Sequence, residues 1–320
     1  MHYFNINSKR INPFWELYRS KNFTNAEPVD FPYLVDIEVS NHCNLKCIFC
    51  GQQTMQRKKG YMKMDILQRI VKECTIRNTP IRMIRWGEPF LHPRVIKFIE
   101  YIKEYNLPLH ITTNGLAFKE HYLEDLVNLE LDSIIFSFQG ATKEQYELMR
   151  NNHRYEELKQ NILKLIELRG NHEKPFIHIS STMTNETPSV INQFVQEWIN
   201  KVDSVGIGKT HLSRLSISQI KSFENIKKLN YLQQQETIEK EYLPCTEVHQ
   251  KLSVDWDGKV SCCCWDWDNF LTVGDVNKQS LYDIWNHSED LKTFRKLIDA
   301  KKFNSLTLCS TCYHTYKEFS

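Results

Sequence analysis

The feature that most constrains this chain is a group of three cysteines near its start, Cys43, Cys47 and Cys50, in the run SNHCNLKCIFCG. Thiolates are the usual ligands of iron–sulfur clusters, and such a cluster normally takes four of them. Structural zinc usually draws on paired C-x2-C units, so a lone C-x3-C-x2-C favours a cluster. The polar flanks Asn44 and Lys46 argue against ordinary buried thiols. The spacing therefore predicts a cluster with three protein ligands and one iron open to a non-protein ligand.

The charge and hydropathy of the chain exclude several classes of partner. The 320 residues carry 41 basic and 39 acidic side chains, a formal net charge of +2, which gives no argument for nucleic acid or an anionic membrane surface. The start lacks the apolar core of a signal peptide, and no stretch approaches the roughly 18 apolar residues of a membrane span. Ten cysteines without a secretion signal indicate metal ligation in a reducing compartment. We expect a cytoplasmic protein that binds neither nucleic acid nor membrane.

Short apolar runs alternate with helical patterns through the first two thirds of the chain. The predicted strands are 33–39, 81–85, 107–112, 132–138, 176–183 and 204–208. The predicted helices are 64–74, 94–105, 119–129, 155–169 and 189–202. Such βα units argue for a parallel sheet, either open or curved into part of a barrel, with ligands at the carboxyl ends of the strands. The cysteine loop follows the first strand at such an end.

A second group of cysteines lies in the last quarter of the chain. It comprises Cys245, the run Cys262-Cys263-Cys264 and the pair Cys309/Cys312. Asp257-Gly258 predicts a tight turn between two hairpin arms at 252–254 and 259–261. A hairpin that presents cysteine, together with a distant C-x2-C pair, assembles four thiolates. Such a set suits an iron–sulfur cluster, and it also suits tetrahedral zinc.

The first cysteine group, with Phe49 just before its third cysteine, resembles the signature of radical S-adenosylmethionine (radical SAM) enzymes. In that family the open iron binds the amino and carboxylate groups of S-adenosylmethionine (AdoMet). The reduced cluster cleaves AdoMet to methionine and a 5′-deoxyadenosyl radical, which abstracts hydrogen from substrate. The resemblance implies an α/β fold, namely a partial (β/α)6 TIM-type barrel. It also implies a [4Fe–4S] cluster on the three cysteines and a reductant such as flavodoxin or ferredoxin.

Two further segments resemble AdoMet-binding motifs of the same family. Trp86-Gly87-Glu88-Pro89 follows the second strand and resembles G-G-E-P, with Trp86 where the first glycine is usual. The segment 137–140, SFQG, follows the fourth strand and resembles S-x-D-G, with Gln139 in place of the aspartate. Trp86 changes the wall beside Gly87 and Glu88, and Gln139 removes the charge that the aspartate would bring to a cofactor contact.

Residues after the third and fourth strands add to the implied cofactor site. Thr113-Asn114-Gly115 matches a recurrent family pattern, although Asn-Gly is also a common tight turn. Arg150 is either a bidentate partner for the methionine carboxylate or a solvated arginine. The AdoMet contacts implied by the resemblance are Gly87, Glu88, Pro89, Asn114, Ser137, Gln139 and Arg150.

The tail resembles the SPASM and shortened "twitch" extensions of radical SAM enzymes, in the order Cys, G-x4-C and C-x2-C. That resemblance implies Cys245, Cys263, Cys309 and Cys312 as ligands of one auxiliary [4Fe–4S] cluster. With four thiolates this cluster has no open iron, so its role is electron transfer or structure. Cys262 and Cys264 are left over. They either pack beside the cluster or include a redox or hydrogen-donating thiol, which makes them the catalytic candidates.

We predict an N-terminal extension (1–30), a radical SAM partial barrel (31–210), a bridge (211–240) and a small hairpin-plus-helix auxiliary domain (241–320). About 30 residues precede the first strand, which favours a small molecule or sugar derivative over a peptide as substrate. We expect a radical SAM enzyme of oxidoreductase or isomerase type that oxidises, epimerises or cross-links its substrate. The alternative is a non-catalytic iron–sulfur or zinc protein with a structural, sensing or electron-transfer role.

Overall fold

Strands and helices alternate along most of the chain. The computed structural model describes residues 10, 12, 14–15, 29–210, 223–235 and 245–312. The strands are Leu34–Ile37 (β1), Ile81–Met83 (β2), Leu109–Thr113 (β3), Ser133–Ser137 (β4), Phe176–Met183 (β5), Ser204–Lys209 (β6), Lys251–Val254 (β7), Lys259–Ser261 (β8) and Thr272–Asp275 (β9).

The helices lie mainly between the strands and follow the predicted order. They are Met64–Ile76 (α1), Val95–Glu104 (α2), Tyr122–Asn128 (α3), Lys143–Arg150 (α4), Tyr155–Arg169 (α5), Pro188–Trp198 (α6), Phe223–Gln235 (α7), Glu247–Gln250 (α8), Leu281–His287 (α9) and Glu289–Asp299 (α10). Among the described residues, no helix is long and apolar enough to cross a bilayer.

The described residues divide into two units that interleave along the chain. One, here called the loop unit, holds residues 43–54, 112–210 and 223–235 together with residues 10 and 12. The other, here called the hairpin unit, holds residues 29–42, 55–111 and 245–312 together with residues 14–15. The predicted domain division at residues 210 and 240 follows the order of the sequence, and it stays a prediction.

The hairpin unit is built on strands in the order β3-β2-β1-β7-β8-β9. Strand β1 pairs in parallel with both β2 and β7, with Val35 opposite Ile81 and Leu252. The β7–β8 pair is the predicted antiparallel hairpin, and β9 adds a third antiparallel strand. All four residues of β1 are buried, as expected for a parallel strand flanked on both edges.

The loop unit contains the parallel strands β4, β5 and β6. Its core includes Phe138, which follows β4 and meets the rings of Tyr146, Tyr155, Phe194 and Trp198 at centroid distances of 5.4–6.1 Å. These rings come from α4, α5 and α6, so the carboxyl end of β4 is fixed by aromatic packing.

The predicted α/β class with a mostly parallel sheet is confirmed, and so is the hairpin around Asp257-Gly258. Helix α4 was not predicted, and helix α7 lies within the segment predicted as a bridge. The rest of that bridge, 211–222 and 236–240, and most of the N-terminal extension lie outside the described residues.

Candidate metal-cluster and cofactor sites

The loop that carries the three cysteines, in the loop unit, is held in place by Ile48. Cys47 is buried, and Cys43 and Cys50 are partly exposed. Between them, Ile48 donates its amide to the carbonyl of Met149 at 3.0 Å. The two side chains pack in one apolar cluster with helix α7. The loop backbone is therefore anchored to α4 and α7 while its thiols stay available for ligation.

Two asparagines hold the start of the loop. The side-chain Nδ2 of Asn44 donates to the Leu116 carbonyl at 2.9 Å, and the side-chain Nδ2 of Asn114 donates to Asn44 Oδ1 at 2.8 Å. Asn114 Nδ2 also lies 3.9 Å from Cys43 Sγ. The structure therefore places Asn114 beside Cys43, where its side chain donates towards the sulfur.

Arg150 lies against the middle cysteine. Its Nη1 is 3.5 Å from Cys47 Sγ, and its Nη2 donates to the carbonyls of Ser137 at 2.7 Å and Phe138 at 3.1 Å. The guanidinium carbon lies 5.4 Å from the ring centroid of Phe49. Arg150 is 8% exposed, so it is not a solvated surface residue. Ser137 and Arg150 are thus brought together at the end of β4.

The thiol of Cys50 favours its protonated form when no metal is bound. Burial raises the pKa of Cys50 to about 12, the neighbouring Cys47 and Cys43 add to the rise, and Arg150 opposes it. Thiols bind iron as thiolates, so ligation by Cys50 must release its proton. A nearby cation and amide donors favour the thiolate form, which fits the chemistry of an anionic cluster.

The Trp86–Pro89 segment of the hairpin unit lies against the residues that precede Cys43 in the chain. A Cβ on Gly87 would lie 1.9 Å from the Ser40 carbonyl oxygen, so only glycine fits there. The Glu88 amide donates to the His42 carbonyl at 2.8 Å. The Glu88 carboxylate accepts from the Phe90 amide at 3.2 Å. This caps the short turn that begins at Pro89.

The family's first glycine is replaced by Trp86 without loss of this approach. The indole of Trp86 meets Trp265 edge-on at 5.8 Å and Trp267 at 5.9 Å between ring centroids. Trp86 thus adds an aromatic wall beside Gly87, which itself makes the close contact with Ser40.

Gln139 is held by its neighbours in the loop unit. Its Nε2 donates to the Thr182 carbonyl at 2.9 Å and to Thr210 Oγ1 at 2.5 Å, while its Oε1 accepts from Thr182 Oγ1 at 2.7 Å. Gln139 is 1% exposed, so both ends of its amide are used inside the protein. The predicted contact between Gln139 and AdoMet stays a prediction.

A buried charge network at the ends of β1, β2 and β7 was missed by sequence reasoning. Arg57 pairs with Glu38 at 2.8 Å and with Asp255 at 3.0 Å, and Arg85 pairs with Asp255 at 2.7 Å. Arg85 also donates to the Cys263 carbonyl at 2.8 Å. A signal was present, because arginines in an apolar strand call for partners, and the neighbouring strand carries acidic residues.

The tail cysteines form a group within the hairpin unit. Burial raises the pKa of Cys245 to about 11 and that of Cys309 to about 12, and the Cys312 thiol contributes to both shifts. Burial likewise raises the pKa of Cys262 and Cys263 well above the ordinary value. Cys262 interacts with Cys309 and Cys245, and Cys263 interacts with Cys312. The thiols of Cys262 and Cys263 therefore both lie near the other tail cysteines, Cys245, Cys309 and Cys312.

Cys264 has different surroundings from its two neighbours. It interacts most strongly with Glu247 and Lys251, and then with Asp36 and Arg82. Glu247 and Lys251 form an ion pair of their own. Glu247 also acts on Cys245 and Cys263, whereas Cys264 lies in addition near Lys251, Asp36 and Arg82.

The donor sets fit iron–sulfur clusters. Each iron of a cubane takes a single thiolate, so the sulfurs spread around the cluster instead of meeting at one ion. Within the ranges that the structure describes, no three His, Cys, Asp or Glu side chains form a group that could hold a metal ion. The thiols of the two groups, with donors beside Cys43 and Cys47, suit the larger anionic group.

Comparison with protein families decides the identity. A model of the radical SAM superfamily matches residues 37–197, about half of the chain, and this range contains both the three-cysteine loop and the Trp86–Pro89 segment. This chain belongs to the radical SAM superfamily. A second model, of the SPASM iron–sulfur cluster-binding domain, matches residues 245–313 of this radical SAM protein.

Several known proteins resemble the radical SAM chain over most of its length. The tungsten-containing aldehyde ferredoxin oxidoreductase cofactor-modifying protein of Pyrococcus furiosus is 24% identical over 313 residues, covering 86% of each chain. SuiB of Streptococcus suis bound to S-adenosylmethionine has a TM-score of 0.66 at 18% identity, covering 89% of this chain and 72% of SuiB. BtrN in complex with AdoMet and 2-DOIA has a TM-score of 0.56 at 18% identity, covering 88% of this chain and 93% of BtrN.

The family matches confirm the predicted recognition, namely a radical SAM enzyme with a SPASM-like tail. They also confirm the predicted cofactors, iron–sulfur clusters and AdoMet. The structural likenesses confirm the fold alone, since each is below 25% identity. The assignment of individual ligands and AdoMet contacts stays a prediction.

Proposed function

We propose that this chain abstracts hydrogen from its substrate in a reaction of oxidoreductase or isomerase type. When bound, the open-iron cluster and AdoMet supply a 5′-deoxyadenosyl radical after one-electron reduction. Cys43, Cys47 and Cys50 would hold that cluster. The electron would come from a low-potential carrier such as flavodoxin or ferredoxin.

The observation that supports the proposal most is the close approach of Gly87 to Ser40, with Glu88 bonded to the His42 carbonyl at 2.8 Å. This arrangement supports an AdoMet-binding role for the segment, with Trp86 in the place of the first glycine. Gly87, Glu88 and Pro89 would therefore present their backbone to the amino group of AdoMet. Because the contact at Gly87 is with backbone atoms, a side chain there would move the segment itself.

Arg150 would meet the methionine carboxylate. Its Nε is buried and has no hydrogen-bond partner among the described residues, although the other guanidinium nitrogens are bonded. A buried unpaired donor is costly unless a ligand satisfies it. We assign Asn114 and Ser137 as further cofactor contacts in this part of the chain, and Gln139 would join them by exchanging one of its hydrogen bonds to Thr182 or Thr210.

The tail would hold one auxiliary [4Fe–4S] cluster on Cys245, Cys263, Cys309 and Cys312, and this cluster would supply electron transfer or structural support. Arg85 binds the carbonyl of Cys263 and so orients that segment. Cys262 and Cys264 remain the candidates for a hydrogen-donating or redox thiol. Their different surroundings allow the two to be tested separately.

The proposed substrate class is supported by likeness to relatives. The similarity extends over 86% of a protein described as cofactor-modifying and 93% of BtrN, whose structure contains 2-DOIA. SuiB, whose structure contains the precursor peptide SuiA, is covered over 67%. We propose a small molecule or sugar derivative as the substrate, with a peptide as the second candidate.

The test of the proposed activity is anaerobic. Reconstituted protein would be reduced, mixed with AdoMet and assayed for 5′-deoxyadenosine, alongside a Cys43/Cys47/Cys50→Ala variant. Cys74→Ala is the matched control, because Cys74 is a buried core residue of α1. We expect cleavage by the wild type and by the Cys74 variant only. No cleavage by fully iron-loaded, reduced wild type would instead favour a non-catalytic iron–sulfur or zinc protein.

A further inference from the structure

Arg150 is a buried cation whose direct partners include a cluster cysteine. Its Nη1 lies 3.5 Å from Cys47 Sγ, and its Nη2 is bonded to two backbone carbonyls. The charge of Arg150 acts on the thiols of Cys43 and Cys50 as well. All of these residues belong to the loop unit.

The guanidinium of Arg150 lacks the usual counter-charge. Among the residues that the structure describes, no carboxylate lies within ion-pair distance of it. Four other largely buried arginines each have one, in the pairs Arg57–Glu38, Arg82–Asp36, Arg85–Asp255 and Arg169–Asp203. A buried charge is costly unless it is paired. The groups that face Arg150 and can become anionic are the cysteine thiols and the phenol of Tyr146.

We propose that Arg150 is the fixed counter-charge of the AdoMet cluster, acting through Cys47, and that it raises the cluster's reduction potential. The inference rests on the proposed function, because it requires a cluster on the three cysteines. Reduction transfers one electron from an external low-potential donor to the cluster and makes the cluster more negative. A cation and an N–H donor at a ligand sulfur stabilise the more negative form, so the reduced state is favoured.

This role is separate from binding the methionine carboxylate. The Nη1 of Arg150 contacts Cys47, and the Nε that would receive the carboxylate is a different nitrogen. The effect on the potential is therefore expected without AdoMet, whereas the effect on AdoMet affinity requires it. Arg150 is a positioning and charge-compensating residue in this scheme.

The test is a redox titration of the reconstituted protein without AdoMet, followed by electron paramagnetic resonance. The cluster on the three cysteines is identified by its response when AdoMet is added at the end. We expect Arg150→Gln to shift the reduction equilibrium at least about tenfold towards the oxidised form, which is about 59 mV for a one-electron couple. Arg150→Lys keeps a charge and should shift it less. Arg154→Gln removes a charge that is 41% exposed and paired with Glu157, and should leave the potential unchanged.

Iron and sulfide content provides the second readout. Loss of the cluster in Arg150→Gln but not in Arg150→Lys would support the proposal, because only the charge is then required. An unchanged potential in a fully loaded Arg150→Gln variant would overturn it, as would loss of the cluster in both variants. Failure of the wild type to cleave AdoMet would count against the proposed activity and leave the comparison of potentials intact.

Discussion

The Nη1 group of Arg85 donates a hydrogen bond to the carbonyl oxygen of Cys263 at 2.8 Å. Arg85 immediately precedes the Trp86–Pro89 segment, and Cys263 is a proposed ligand of the auxiliary cluster. The same guanidinium binds Asp255 at 2.7 Å and the Asp266 carbonyl at 3.0 Å. The backbone of Arg85 has a φ of +133°, a strained conformation for a residue with a side chain. One buried arginine therefore links two functional segments of the hairpin unit.

Replacing Arg85 with methionine should destabilise the apoprotein by about 3–5 kcal/mol, because a buried ion pair loses one partner. The measurement is the free energy of unfolding in denaturant. Arg69→Met, at an exposed position of α1, is the control and should change that free energy by no more than about 0.5 kcal/mol. Equal stability of the two variants would show that the Arg85 network is not required.

Adding a methyl group to Gly87 should weaken AdoMet binding. The new Cβ would lie 1.9 Å from the Ser40 carbonyl oxygen, so the backbone of the segment must move. We expect Gly87→Ala to lower AdoMet affinity on the order of tenfold, about 1.4 kcal/mol, by equilibrium binding to reconstituted protein. At Gly208 a Cβ would meet Thr182 at an ordinary 3.4 Å, so Gly208→Ala is a control for the glycine-to-alanine change itself. Wild-type affinity in the Gly87 variant would refute the assigned role.

Cys263 and Cys264 should differ in their effect on iron content. We expect Cys263→Ala to lose about four irons per chain, the content of one cubane. Cys264→Ala should keep them, because Cys264 faces Glu247 and Lys251. Iron and sulfide analysis of the two variants settles the assignment, and full iron in Cys263→Ala would reject it.

Product formation by single-cysteine variants of the wild type tests the proposed hydrogen-donating thiol. Cys262→Ala and Cys264→Ala should both be assayed for product as well as for 5′-deoxyadenosine. A donor thiol is expected to affect product formation while AdoMet cleavage continues. Normal turnover in both variants would end that hypothesis.

The stability of the protein should fall in mild acid because of His178. Burial lowers the pKa of His178 to about 4 from an ordinary 6.5. The folded state therefore binds fewer protons at this site than the unfolded state between those values. The contribution of His178 is fully present above about pH 6.5, is lost as the pH falls to about 4, and is up to about 3 kcal/mol.

The measurement is the free energy of unfolding of wild type minus that of His178→Gln across this pH range. The difference should decline as the pH is lowered and level off below about pH 4. His121→Gln is the control, since the side chain of His121 is 69% exposed, and it should retain the wild-type slope. A flat difference for His178 would contradict the assigned burial effect.

Much of the fold could be predicted from local pattern. The predicted strand 176–183 and helix 155–169 match β5 and α5 residue for residue, because apolar runs and helical spacing are both strong there. Helix α4 was missed because it is polar apart from a few buried positions such as Tyr146 and Met149. The parallel pairing of β7 with β1 depends on contacts far apart in sequence, which periodicity does not report.

For the candidate sites too, local spacing could be interpreted from the sequence, whereas tertiary contacts could not. Cysteine spacing allowed the loop to be proposed as a ligand site, because ligation needs particular residues at particular intervals. The sequence indicated that Arg85 needs an acidic partner, but the particular groups that Arg85 and Arg150 contact depend on tertiary contacts between segments distant in sequence. For Arg150 the guanidinium geometry suggested an anion, and only the fold placed it beside Cys47.

The most direct test of the central claim is the electron paramagnetic resonance spectrum of the reduced protein before and after AdoMet is added. The wild type and a Cys309/Cys312→Ala variant would be compared with Cys43→Ala, each with its iron content measured. We expect AdoMet to change the spectrum of the first two proteins and not of the Cys43 variant, because the open iron belongs to the first cysteine group. An unchanged spectrum in fully loaded wild type would contradict the account.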